Sequence, residues 1–271
     1  MKEASRLITY ALAPSTSSSY NSSFNEYIRF CSYVRLSNEL PPSVSTIIAF
    51  ITHLFRKHHS YDKIRKDILG LKSACVDAGV SMDNFAVPLV NRTLRGIKRI
   101  ATPPAKRVRK PITLDLLRSV IPHFHNSNEG KVMRSMAIVS FWGLMRAGEV
   151  TARAATATPP LLRKDITWCP TMVKVTIQHN KTSLSPQQVM LFQCGGIACP
   201  FSALLYAWNN AAVKIPHAPV FQDSAGKAIK YTAFQTELRF VLSKAGLDPL
   251  LFNTHSLRYV ARSSRSATIC Y

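Results

Sequence analysis

Acidic residues are scarce in this chain of 271 residues. Only 14 aspartates and glutamates stand against 35 lysines and arginines, which gives a formal net charge of +21. An excess of this size predicts a polyanionic partner, with nucleic acid as the first candidate. Charge alone does not separate a DNA-binding protein from a ribosomal type of RNA binder or from a generally basic protein.

Long apolar runs are also missing. The most apolar stretch, residues 136–145, is bounded by Arg134 and Arg146 and is too short to cross a bilayer. The first twelve residues hold no continuous apolar segment of the signal-peptide kind. We therefore expect no membrane partner and an intracellular location with the DNA, in the nucleus of a eukaryote or the cytoplasm and nucleoid of a bacterium.

Cysteines are few, and their spacing matches no common metal site. The six are Cys31, Cys75, Cys169, Cys194, Cys199 and Cys270. Scattered cysteines without a secretory context favour reduced thiols over a disulfide framework. Cys194 and Cys199 lie close together in the sequence, but no second Cys or His pair follows them at zinc-finger spacing. That pair instead indicates a turn out of a strand, with Pro200 opening the next helix, and we expect no metal and no small-molecule cofactor.

Prolines and basic residues mark a break at residues 101–111. Three prolines within this stretch cannot continue a helix, which predicts a linker. Before it, apolar residues recur at helical spacing in four stretches, and Ser43 is placed to cap the second. This pattern predicts a small helical bundle over residues 1–100.

A different pattern follows the linker, over residues 112–271. Thr113 is placed to cap a helix, and an all-round apolar helix runs to about residue 145. Alternation at Val173, Val175 and Ile177, followed by the apolar run 189–192, predicts a small antiparallel sheet of two or three strands. Further helices are predicted at 201–210 and 232–245. The fold class is therefore mainly α with a small antiparallel β-sheet, in two domains.

Basic residues concentrate between positions 92 and 110, where no acid interrupts them. Such a run predicts a strip that follows the phosphates of duplex DNA. The expected DNA-binding residues are Arg92, Arg95, Lys98, Arg99, Lys106, Arg107, Arg109 and Lys110.

Two arginines in the second domain are candidates for phosphate chemistry. Moving a phosphodiester to a new oxygen builds negative charge, and preorganised arginine donors stabilise it. Arg146 directly follows a helix too apolar to be a surface element, and Glu149 either orients it or forms a plain surface pair with it. His255 stands three residues before Arg258, on one helix face, and can donate to a phosphate oxygen or carry a proton.

The motifs around these residues, taken in order, resemble the tyrosine recombinases, also called phage integrases. They are GLMRAGE at 143–149, NKT at 180–182, CP at 199–200 and HSLR at 255–258, behind a first domain with SSSY at 17–20 in its opening helix. The resemblance implies a SAM-like core-binding domain and a catalytic domain that cleaves and rejoins double-stranded DNA through a phosphotyrosine, without metal, often as a homo-oligomer.

The same resemblance implies a role for each matching residue. Arg146, His255 and Arg258 would hold the phosphate, and Lys181 would protonate the departing 5′ oxygen. From the sequence alone, Lys181 is equally well explained as a solvated turn lysine.

The tyrosine nucleophile of the family is not found where it is expected. In the family two further helices follow the histidine-arginine motif, and they need about 25 residues, whereas 13 follow Arg258. Tyr259 adjoins Arg258, and Tyr271 is a weak candidate. We therefore expect a mobile-element recombinase that is truncated or frameshifted, lacks the last helices, and binds DNA without cleaving it.

Two alternatives remain. One is a domesticated, non-catalytic DNA-binding protein derived from a recombinase. The other is a generic RNA-binding module, which is disfavoured because the exposed aromatic pattern of such modules is missing.

Overall fold

The computed structural model describes residues 10–101, 109–152, 159–178 and 185–258. Its contacts divide the chain into two units, Met1–Lys106 and Arg107–Tyr271, each with its own hydrophobic core. The predicted linker 101–111 contains this division, and its residues 102–108 lie outside the described ranges. No helix within those ranges is long and apolar enough to cross a membrane.

The first unit is a bundle of helices. They are α1 (Pro14–Val34), α2 (Val44–Arg56), α3 (Tyr61–Asp77), the single turn α4 (Asp83–Ala86) and α5 (Pro88–Ile100). The four stretches with helical periodicity form α1, α2, α3 and α5. Ser43 caps α2 as predicted, since its hydroxyl accepts a hydrogen bond from the Thr46 N–H. Tyr27, Phe50 and Leu71 are fully buried where these helices meet.

Helices α1 and α3 approach each other closely at Gly70. A Cβ added there would lie 2.5 Å from the Cβ of Ser23 and 2.9 Å from the carbonyl oxygen of Tyr20. The Ser23 hydroxyl donates a hydrogen bond of 2.8 Å to Asp67, whose carboxylate also pairs with Lys63. This buried carboxylate is therefore compensated from both helices.

The second unit combines helices with one small sheet. Its α-helices are α6 (Leu114–Val120), α7 (Asn128–Trp142), the single turn α8 (Ala147–Val150), α9 (Pro200–Asn209) and α10 (Tyr231–Lys244). Thr113 caps α6, and Pro200 occupies the first turn of α9, as predicted. Helix α10 is followed by Gly246 at φ 74°, a left-handed conformation that stops a helix.

The sheet is antiparallel, in the order β1–β2–β3 within the described ranges. Its strands are β1 (Ile166–Trp168), β2 (Met172–Ile177) and β3 (Gln187–Phe192). Val173 and Val175 face the core and pair with Leu191 and Val189. The predicted fold class, mainly α with a small antiparallel sheet, is confirmed.

Helix α7 lies at the centre of the second core. Most of its residues are buried, including Met136, Ala137 and Val139, as the all-round apolar pattern predicts. Helices α9 and α10 and the 3₁₀ helix Thr254–Leu257 all pack against it. The helix ends at Trp142, earlier than predicted, because Leu144 adopts a left-handed backbone with φ 49°.

Candidate functional site

Arg146 lies just after the turn that ends α7, as the residue that precedes the first turn of α8. Its N–H donates to Glu149 Oε2 at 2.7 Å, and its Nη1 donates to Glu149 Oε1 at 3.0 Å. The two side chains are 25% and 13% exposed, so this is not an ordinary surface pair. Glu149 therefore fixes both the backbone and the guanidinium of Arg146, in the orienting role expected from the sequence.

The chain after α8 is tied to the start of α10. The Ala152 N–H donates to the Ile229 carbonyl at 2.8 Å, and the Tyr231 N–H donates to the Ala152 carbonyl at 3.0 Å. The Glu149 carbonyl also accepts from the Leu161 N–H at 2.8 Å. These bonds fix the segment that carries Arg146 (residues 143–149, the first arginine segment) to Leu161 and to the start of α10.

His255 and Arg258 belong to the 3₁₀ helix Thr254–Leu257 and its C-terminal cap. Thr254 and Leu257 are buried, whereas His255 is exposed and Arg258 is half-buried. Because a 3₁₀ helix has three residues per turn, positions 255 and 258 are stacked on one face, away from the core. The spacing predicted one helix face for both residues, and the helix that carries them is 3₁₀.

Asn253 begins this 3₁₀ helix, a role that our reading of the sequence missed. Its Oδ1 accepts from the Ser256 N–H at 3.1 Å, and the Ser256 hydroxyl accepts from the Asn253 N–H at 3.1 Å. Asn followed three residues later by a hydroxyl side chain is a variant of the capping box, so the sequence did contain the signal. The cap sets the start of the helix that carries His255.

The two arginine segments occupy neighbouring elements. Helix α7, which leads into Arg146, packs against the 3₁₀ helix Thr254–Leu257. On the other side, the Tyr231 hydroxyl lies 3.5 Å from Thr254 Oγ1, while the Tyr231 backbone bonds to Ala152. No sequence signal pointed to Tyr231 as the residue between the two segments.

Lys181, with its neighbours in the NKT motif, lies outside the described residues. The strand before it ends at Ile177, and the Gln178 side chain donates to Asp165 Oδ1 at 2.8 Å. A cavity of about 190 Å³ separates this end of the sheet from the first arginine motif, with Glu149 and Gln178 in its lining. The sheet therefore ends beside the Arg146–Glu149 pair.

The predicted DNA-binding strip is only partly within the described ranges. Arg92, Arg95 and Arg99 are exposed on α5. At 100° per residue they fall within about 60° of the helix circumference, opposite the buried Val90 and Ile97. They form one guanidinium face, which we call the α5 arginine face.

Other members of the strip differ from this face. Lys98 is exposed on α5 but lies over the Tyr61 ring, with Nζ 5.8 Å from the ring centroid. Arg109 Nη1 donates to the carbonyls of Leu250 at 2.8 Å and Phe252 at 3.2 Å. The Lys110 N–H donates to the Leu251 carbonyl at 2.8 Å.

Arg109 thus ties the start of the second unit to the segment before His255. Lys106 and Arg107 lie outside the described residues.

No protein-family model matches the sequence, and no curated protein matches it. Solved structures do match. The XerH site-specific recombinase bound to its palindromic difH substrate has a TM-score of 0.57 at 18% identity, over 86% of this chain and 66% of that one. A lambda integrase dimer bound to a COC′ core site has a TM-score of 0.59 at 12% identity, over 95% of this chain and 82% of that one.

The Tn1549 transposon integrase in complex with transposon right end DNA gives a TM-score of 0.57 at 13% identity, over 90% of this chain and 84% of that one. At these identities the similarity shows a shared fold. The chain spans about two thirds of the length of the XerH chain it matches.

Proposed function

We propose that this chain, which has the tyrosine recombinase fold, binds double-stranded DNA and holds one backbone phosphate between its two arginine segments. The observation that carries the proposal is the packing of α7, which leads into Arg146, against the 3₁₀ helix that presents His255 and Arg258. Residues far apart in sequence are thereby brought to adjacent elements of one core.

The roles follow from the chemistry of each side chain. Arg146 and Arg258 supply charge-assisted donors to the non-bridging oxygens of the phosphate. Exposed His255 donates to a phosphate oxygen or transfers a proton. Lys181, which lies between β2 and β3 in the sequence, would protonate the departing oxygen in any strand cleavage. Glu149 acts through Arg146, as a positioning residue.

Duplex DNA is the proposed partner for two reasons. The α5 arginine face offers three exposed guanidinium groups in a row, with the geometry of a backbone-following strip. The similar XerH, lambda and Tn1549 structures are themselves DNA complexes, and the lambda complex is described as a dimer. We include self-association on DNA in the proposal.

A double-mutant cycle tests the shared phosphate. A duplex selected from a random library by the wild-type protein is titrated with Arg146→Ala, Arg258→Ala and the double variant. Each single change should weaken binding by about 10- to 150-fold, because a hydrogen bond to a charged group contributes about 1.5–3 kcal/mol. If both arginines hold one phosphate, the double variant should lose clearly less than the two losses combined.

Arg118→Ala is the matched control, since Arg118 is an exposed arginine that pairs with Asp115 on α6. It should bind DNA like the wild type. Additive losses from folded variants would place the two arginines on separate phosphates and contradict the proposed site. A library that yields no duplex bound more tightly than heparin would contradict DNA binding itself.

The proposal includes binding without strand cleavage by these 271 residues. A tyrosine nucleophile must be held in line with the scissile phosphate and lose a proton of pKa near 10 there, which requires a rigid mount. On nicked suicide substrates we expect no covalent protein–DNA complex, and Tyr271→Phe should change nothing. An adduct that disappears in Tyr271→Phe would establish a catalytic recombinase and leave the binding part of the proposal intact.

A further inference from the structure

The turn between β3 and α9 brings two cysteines together. Cys194 is exposed, and Cys199 is 2% exposed at the position preceding α9. The Cys194 N–H donates to Cys199 Sγ at 3.4 Å. Because an N–Cα bond is about 1.46 Å, the Cys199 sulfur is no more than about 5 Å from the Cys194 Cα. The Cys199 sulfur therefore lies beside the backbone of Cys194, within reach of a side chain that begins at this Cα.

The backbone of this turn is shaped to bring the two cysteines close. Gly195 and Gly196 both adopt left-handed conformations, with φ of 69° and 72°, which side chains with a Cβ disfavour. The Cys199 N–H then donates to the Gly196 carbonyl at 3.2 Å and closes the reversal. Both cysteines are reduced thiols in the structure.

Hydrogen bonds favour the thiolate form of Cys199. Burial raises the pKa of this thiol, but donors from the backbone and hydroxyl of Ser202 and from the N–H groups of Cys194 and Gly195 outweigh it. The net effect lowers the Cys199 pKa from 9.0 to about 7. A thiolate is the nucleophilic form of cysteine.

A structural metal is a poorer explanation for the pair. The described ranges contain no group of three or more His, Cys, Asp or Glu side chains placed to hold a metal ion. Structural zinc requires four ligands, commonly cysteine and histidine. The two thiols are therefore better explained by reaction with each other.

We propose that Cys194 and Cys199 are a reversible redox pair, oxidised to an internal disulfide by small-molecule disulfides of the glutathione class. The exposed Cys194 thiolate attacks oxidised glutathione, forms a mixed disulfide and releases one glutathione thiolate, which takes up a proton. The Cys199 thiolate then attacks Cys194 Sγ, forms the internal S–S bond and displaces the second glutathione. Two protein thiols lose two electrons, and one glutathione disulfide gains them.

The pair is connected to the first arginine segment by one hydrogen bond. Trp142 Nε1–H donates to the carbonyl of Ala198 at 2.8 Å, and Trp142 is the last residue of α7. Forming the S–S bond removes the Cys199 thiolate that accepts these hydrogen bonds, and Ala198 is its direct neighbour. We include a change in the Trp142–Ala198 bond as part of the proposal, which does not depend on DNA binding.

Mass spectrometry tests the chemistry on the full chain. Trypsin releases residues 182–214 as one peptide whose only cysteines are Cys194 and Cys199. After incubation with oxidised glutathione and alkylation under denaturing conditions, this peptide should be two hydrogens lighter and unalkylated. Dithiothreitol should restore both alkylation sites. Cys169→Ser, which removes a half-buried thiol elsewhere in the same unit, is the control and should leave the result unchanged.

Two variants separate the steps. Cys199→Ser should accumulate glutathione on Cys194, because nothing displaces it, and Cys194→Ser should form no disulfide in this peptide. Wild-type protein that keeps a stable glutathione adduct on Cys194, or that links Cys194 to Cys194 of a second chain, would overturn the proposal. The wild-type measurement is decisive even if Cys199→Ser fails to fold.

Nuclear magnetic resonance tests the connection to α7. The chain has three tryptophans, so Trp142→Phe assigns the Trp142 indole N–H signal by its disappearance. Trp208→Phe assigns the Trp208 signal in the same way. Oxidation should shift the Trp142 signal and leave that of Trp208 in place, and Cys194→Ser should abolish the shift. An unchanged Trp142 signal in protein shown to carry the disulfide would refute the connection.

Discussion

The α5 arginine face should account for a measurable part of the salt dependence of DNA binding. Each phosphate contact made by a basic side chain contributes about 0.9 to the slope of log affinity against log salt concentration on B-form DNA. Three contacts, from Arg92, Arg95 and Arg99, therefore contribute a slope of about 2.7. Over a fourfold rise from 50 to 200 mM salt, a slope of about 2.7 corresponds to a loss of roughly fortyfold.

The perturbation replaces the three arginines with glutamine. Glutamine is nearly as good a helix former as arginine, and all three positions are exposed, so α5 should remain folded. The variant carries Arg92→Gln, Arg95→Gln and Arg99→Gln. If the wild type makes six or more contacts, it should lose on the order of a thousandfold in affinity between 50 and 200 mM salt. Over the same salt range, the loss of affinity of the variant should be smaller than that of the wild type by a factor of about forty.

The assay is fluorescence anisotropy with a labelled duplex over a series of salt concentrations. A control variant removes the same number of charges from exposed positions of the second unit. It carries Arg118→Gln, Lys227→Gln and Lys244→Gln. If both variants change the slope equally, net charge and not the α5 arginine face governs binding, and the assignment of that face fails.

Four stability predictions can be measured by denaturant unfolding. Gly130→Ala should destabilise the second unit by more than about 1 kcal/mol, because the added methyl group overlaps the His125 carbonyl. Gly96→Ala on α5 should stabilise the first unit by about 0.5–1 kcal/mol, because the added methyl group meets nothing within 4 Å. Glu149→Gln should lower the free energy of unfolding by about 1–2 kcal/mol and should also weaken DNA binding, because it removes the charge that fixes Arg146. The free energy of unfolding of the wild type, relative to that of Cys199→Ala, should be greatest above pH 9. It should fall by at most about 3 kcal/mol as the pH drops through about 7, because the Cys199 thiolate takes up a proton there. A flat pH profile would show that the thiolate is not stabilised in the fold.

Much of the fold could be predicted from local sequence signals. Ser43 and Thr113 cap helices where hydroxyls precede apolar stretches, and the alternation at Val173 and Val175 places β2 with the correct face inward. These features depend on a few neighbouring residues, so the sequence carries them directly. Strand β1 has only three residues, too few for a period-2 pattern to stand out.

The details of the site were harder to predict because they depend on tertiary contacts. The apolar run suggested a helix to about Met145, but the left-handed Leu144 ends α7 at Trp142, and Glu149 then holds Arg146 at the start of a new turn. Similarly, spacing put His255 and the second arginine on one face, but could not show that the helix is 3₁₀. The packing of the two segments through Tyr231 had no local signal.

Helix α7 connects these features. Its C-terminal end leads into Arg146, its side packs against the 3₁₀ helix that presents His255, and its last residue, Trp142, bonds to the turn of the cysteine pair. Buried cores are densely packed and transmit strain, and α7 joins Trp142 directly to the turn that places Arg146. We therefore expect a change in the β3–α9 turn to reach the proposed phosphate site through Trp142, although that turn contributes no side chain to the proposed site.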